Sequence, residues 1–143
     1  MEIKGKFFIL LLAGSIMCGL SANAQKRAVV KPQYIFGFAI SMTDSVAYIT
    51  EVQRVDSAWV ETAHGYLVDR ALYSLQLQYY LEQSEKAKNT VCSVFFNRNP
   101  RKMQRLWARM KRRYAKAKNL RFIEVPKSSF AFTAEEYKEI KYE

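Results

Sequence analysis

Tyr34 to Ser41, YIFGFAIS, is a continuous apolar and aromatic run, the pattern of a strand covered on both faces. Met42 to Ser45, MTDS, predicts a turn. Val46 to Val55 then alternates, with Val46, Tyr48, Thr50 and Val52 on one face and Ala47, Ile49, Glu51 and Gln53 on the other. That is the pattern of a half-buried strand, and the two strands form a predicted β-hairpin. Asp56 to Tyr66 has no clear period; Trp59 and Val60 either extend a strand or cover the sheet edge, and Gly65 punctuates. Asp69 is a predicted N-cap for a helix running to about Lys86. In that helix Val68, Leu72, Leu75 and Tyr79 share one stripe. Tyr73, Leu77, Tyr80 and Leu81 widen it, so burial on more than one side is expected. Thr90 to Phe96, TVCSVFF, predicts a central strand, and Leu120 to Val125, LRFIEV, a last one closed by Pro126. Between them Asn99 is a good N-cap and Pro100 suits the first helical position. Thr133 with Glu136 forms a capping box, which predicts a short C-terminal helix.

The order strand, strand, helix, strand, helix, strand, short helix predicts an α+β domain: a mixed β-sheet with helices packed on it in two layers. The strand–helix–strand unit from Thr90 to Val125 is expected to be a right-handed crossover joining parallel strands. Residues 25–32, QKRAVVKP, read as a polar leader to a single domain spanning 25–143.

The first 24 residues have a different logic. Lys4 and Lys6 precede an almost unbroken apolar run from Phe7 to Leu20, followed by Ser21-Ala22-Asn23-Ala24. This is the pattern of a secretory signal peptide over residues 1–24, with cleavage after Ala24. The run is shorter than the roughly 20 residues a spanning helix needs. No second apolar run of spanning length follows, so the mature chain is expected to be exported, periplasmic or extracellular, without a transmembrane segment. Cys18 follows Ser15-Ile16-Met17, a poor match to a lipobox, so lipidation is not expected. A signal peptide ending Ala-Asn-Ala and followed by Gln25, together with the overall size, resembles small uncharacterised exported proteins of the Bacteroidota. The resemblance covers the signal region and carries no catalytic residue.

Charge then changes the picture. Past Ala24 the chain holds 21 Lys and Arg against 12 Asp and Glu. Eleven of those cations lie within residues 98–121, a segment with no acidic residue. Counted at 100° per residue, Met103, Leu106, Trp107, Met110, Tyr114 and Ala117 fall within an arc of about 100°. Arg101, Arg105, Arg109, Arg112 and Lys116 lie opposite, flanked by Lys102 and Arg113, a strip roughly 25 Å long. Like charges at i,i+4 cost only a few tenths of a kcal/mol per pair. Burial of the apolar stripe, at roughly 1.5–3 kcal/mol per large side chain, outweighs them, so the helix needs no anion to form. A one-signed surface of this kind is a statement about partners. The expected partner is an anionic envelope component or an acidic protein surface; nucleic acid is not expected, because no base-reading motif accompanies the charge. The contrasting reading is a basic face that is merely solvated.

Catalytic signatures are missing from the sequence. There is one His, no GxSxG elbow, no glycine-rich phosphate loop and no HExxH. Cys92 sits within an apolar run and reads as a small buried hydrophobe. The expectation is therefore a binding module without catalytic residue, metal or cofactor. The alternative is a small secreted hydrolase or nuclease with a site near His64, Tyr66, Arg70 and Tyr73. Tyr34, Phe36-Gly37, Tyr48-Ile49 and then Arg70 resemble the hairpin-then-helix layout of GIY-YIG nucleases. The second strand lacks the motif's glycine, and only Glu82 or Glu85 is available as its metal carboxylate. A further alternative is an interaction domain recognised through Tyr66, Tyr73, Tyr79 and Tyr80.

Overall fold

The computed structural model describes residues 28–136. The expected signal peptide and all but the first residues of the expected C-terminal helix lie outside them. Seven strands and two helices follow in order: β1 (Ala28–Val30), β2 (Gln33–Ser41), β3 (Val46–Thr50), β4 (Gln53–Val55), β5 (Trp59–Glu61), α1 (Arg70–Ser84), β6 (Thr90–Asn97), α2 (Pro100–Ala115) and β7 (Arg121–Val125). The domain is α+β, built on a mixed sheet.

β2 is the hub of that sheet. It pairs antiparallel with β3 and β4 along one edge and with β6 along the other, while β7 pairs parallel with β3. These pairings make β3, β6 and β7 run in one direction. The crossover through α2 therefore joins parallel strands, β6 and β7, that are separated by β2 and β3. β6, expected to be central, pairs only with β2 among the described strands. Its apolar run has another cause: Phe95 stacks on Phe36 on one face, while Val94 joins the core beneath α1 on the other.

The two-layer expectation is corrected to three layers. Ile35, Ala39, Val46, Tyr48, Val94 and Val125 form one core with Tyr73, Leu77 and Leu81 of α1. Phe36, Phe38, Ala47 and Ile49 form a second core with Met103 of α2. Each helix thus covers one face of the sheet, and β3, expected to be half-buried, is buried at all five positions. Gly37 sits where α1 approaches most closely: a Cβ there would lie 2.5 Å from Leu77 Cδ2 and 3.1 Å from Phe132 Cζ.

The single strand expected over Val46–Val55 is broken. Pairing with β2 shifts by one residue between Phe38↔Ile49 and Ile35↔Gln53, a β-bulge at Glu51-Val52. The extra residue resets the alternation, so Gln53 and Val55 face α1 while Val52 packs on the α2 side. Gln53 uses that position to donate to Phe130 O (3.0 Å) and to accept from Phe132 N (2.8 Å). This clamp presses Phe130 and Phe132 into the core beside α1, making the tail part of the fold. Thr133 does not begin a helix. Its N–H donates to Gln76 Oε1 and its carbonyl accepts from Gln76 Nε2, and residues 133–136 remain irregular.

Three further expectations change. The supposed leader contains β1, which pairs antiparallel with β5 in a separate two-stranded sheet. In α1 the buried stripe is Tyr73, Leu77 and Leu81, whereas Leu72, Leu75 and Tyr79 are exposed. Asp69 precedes α1 in the left-handed region (φ 55°) and forms no side-chain cap.

Candidate functional site

α2 begins as its sequence predicts. Asn99 is extended, and its side-chain oxygen accepts from the N–H groups of Arg101 (3.0 Å) and Lys102 (3.3 Å). Pro100 takes the first helical position, where a missing N–H costs nothing. Met103 anchors the inner face at 2% exposure. Leu106, Trp107, Met110 and Tyr114 are half-buried beside it, and Tyr114 packs on Phe38 with ring centroids 4.5 Å apart. Trp107 Nε1–H donates to Thr50 O at 2.8 Å, next to the bulge. Ala117, assigned to the inner stripe by periodicity, lies beyond the helix end and is exposed.

The outer face carries Arg101, Arg105, Arg109, Arg112 and Lys116, all exposed. Lys116 is the C-cap, where a cation is favoured by the helix dipole, as are Arg112 and Arg113 in the last turn. Arg101 and Lys102 at the other end oppose that dipole, and no acidic side chain stands in the first turn to offset them. Among the described residues none of the five forms an ion pair. Among the described residues the one ion pair of α2 joins Lys111 to Glu124 of β7, and Lys111 also lies 4.9 Å from the Trp107 ring centroid. Lys111 is thus tied to the sheet side, leaving the outer strip with charge of one sign. No helix among the described residues is long and apolar enough to cross a membrane.

The residues of the alternative site are only partly together. His64 stacks on Tyr66 (centroids 5.4 Å apart, planes at 14°), and its Nδ1 is 3.4 Å from Glu61 Oε1. Arg70 lies over the Phe96 ring at 6.0 Å. Tyr73 is fully buried, its hydroxyl accepting from Glu135 N, so it belongs neither to that site nor to a tyrosine-rich surface. Burial pushes the Tyr73 phenol above its ordinary pKa. Only Tyr66 and Tyr79 of the four tyrosines are strongly exposed. In the arrangement that resembles the nuclease layout, Phe36 and Tyr48 are core residues and the space beside Gly37 is filled by Leu77. Among the described residues no group of three or more His, Cys, Asp or Glu is placed to hold a metal ion. Cys92 is free, and burial pushes its thiol up to about 11.

No protein-family model, no curated protein and no solved structure matches the chain.

Proposed function

We propose that the chain is an exported, non-enzymatic binding or accessory module, and that the outer face of α2 contacts an anionic envelope component or an acidic protein surface. The observation that carries this reading is the separation of roles on one helix. Met103 and Trp107 dock the inner face, and five exposed cations without ion-pair partners among the described residues occupy the outer one. A face that served only to keep the helix wet would do so equally well with Glu interleaved among its Arg residues, and such i,i+4 pairs would add stability. Arg101, Arg105, Arg109, Arg112 and Lys116 make the contact. Guanidinium groups suit it, because their planar forks donate two parallel hydrogen bonds to a phosphate or carboxylate.

The test is co-sedimentation of the protein with purified envelope fractions at low and high salt. A second protein carries Arg105→Glu, Arg109→Glu, Arg112→Glu and Lys116→Glu. Pelleting at low salt that both high salt and the reversals abolish is the expected result, since exposed charges are screened over roughly 10 Å at 0.1 M salt. Equal behaviour of the two proteins at both salt concentrations leaves the face as solvated surface and overturns the reading.

A further inference from the structure

Among the described residues four polar side chains are buried, and three of them have an evident task. Ser41 Oγ donates to Lys88 O, Thr50 Oγ1 accepts from Gly37 N, and Gln53 clamps the tail. The fourth, Gln33, is 3% exposed and forms part of the wall of a cleft.

Gln33 lines an open cleft of about 610 Å³ formed between the β1–β5 ribbon and the end of β6. That volume lies in the range of sites for small organic molecules. Two cations stand in its lining, Lys31 from the β1–β2 connection and Arg98 from the residue before the α2 N-cap. Both are exposed, and neither has a carboxylate partner among the described residues. The one carboxylate in the lining, Glu61, is beside His64 instead. Aromatic walls complete the cleft: the stacked His64 and Tyr66 rings, and Phe96. The cleft therefore combines flat apolar surface, two unpaired cations and an amide able both to donate and to accept.

We propose that this cleft is a binding site for a small organic anion: a phosphate monoester or carboxylate on a flat, apolar body. Lys31 and Arg98 hold the anionic group, the body lies against His64, Tyr66 and Phe96, and Gln33 offers its amide to a polar atom of the ligand. The site does not depend on the reading of the α2 face, because none of its residues is among the five outer cations.

The test is an NMR titration of the protein with phenyl phosphate, benzoate and phenol, following the Gln33 side-chain amide and the backbone amides of Tyr66 and Asn97. Saturable shifts at these groups are expected with phenyl phosphate, benzoate or both, and the tighter of the two identifies the preferred head group. Phenol should bind about tenfold more weakly, since it lacks the charge-assisted contacts. Arg98→Ala and Lys31→Ala, both at exposed positions, should each weaken the anion by about tenfold, whereas Arg109→Glu should leave it unchanged. The proposal fails if neither anion shifts these resonances, if phenol binds as tightly as the anions, or if Arg109→Glu weakens binding as much as Arg98→Ala does. The last result would place anion binding on α2 and leave the reading of that face standing.

Discussion

Single residues set the strictest local conditions in this fold. Gln53 shows why a polar residue is kept in a core: its amide pairs with both Phe130 O and Phe132 N, so its burial orders the tail. Cys92 shows a different case, a free thiol whose proton is held more tightly by partial burial. Desolvation is the largest cause of its raised pKa, with the neighbouring Thr90 side chain acting the other way. The folded protein therefore holds the thiol proton more tightly than the unfolded chain does. This contribution to stability is complete below the ordinary value of 9.0 and is lost as pH rises towards about 11. Tyr48, Tyr73 and Tyr80, each raised from 10.0 chiefly by burial, extend the loss to higher pH. Urea midpoints measured across this alkaline range should fall for the wild type, and Cys92→Ala should flatten the early part of the fall. An unchanged slope in Cys92→Ala would place the loss elsewhere.

At the level of the element, α2 divides stability from recognition. Its inner face is anchored by one fully buried residue, so Met103→Ala should cost about 2–5 kcal/mol in urea unfolding. The reversals Arg105→Glu and Arg109→Glu should stay within about 0.5 kcal/mol, because they touch neither core nor cap. If the reversals prove as damaging as Met103→Ala, the outer face is structural, and its charge says nothing about a partner. α1 divides differently. It covers its side of the sheet with Tyr73, Leu77 and Leu81, and it needs the tail segment through Phe132 to finish the cover.

Across the whole molecule the tail is the piece that closes the structure. Phe130 and Phe132 are at most 9% exposed and stack edge to face with centroids 4.9 Å apart. Removing the chain after Lys127 should cost roughly 3–6 kcal/mol, from two large aromatic side chains at roughly 1.5–3 kcal/mol each. Thermal unfolding of the truncated protein checks this, and an unchanged midpoint would show the two rings to be passengers. Much of the architecture is legible in the sequence. Runs of residues with a definite period and punctuation, such as β2, β6, β7 and the capped start of α2, were readable because their signals are local: side-chain alternation, Asn99, Pro100 and the 3.6-residue repeat. The cationic strip was legible for the same reason, being a matter of spacing alone. What sequence periodicity misassigned depended on contacts between distant segments. The bulge at Glu51-Val52 flips the facing of Gln53 and is stabilised by a tail almost eighty residues away. The buried stripe of α1 was chosen by the sheet and tail, since Leu72, Leu75 and Tyr79 were as apolar a candidate as Tyr73, Leu77 and Leu81. Lys31, Gln33 and Arg98 belong to separate segments, and no motif joins them. The sequence by itself thus determined the long strands β2, β6 and β7, the two helices and where positive charge gathers, because those follow from short-range spacing. Which face of α1 is buried, which strand lies at the edge and which polar groups meet around one cleft were decided only by tertiary packing, because they depend on where the chain returns to itself.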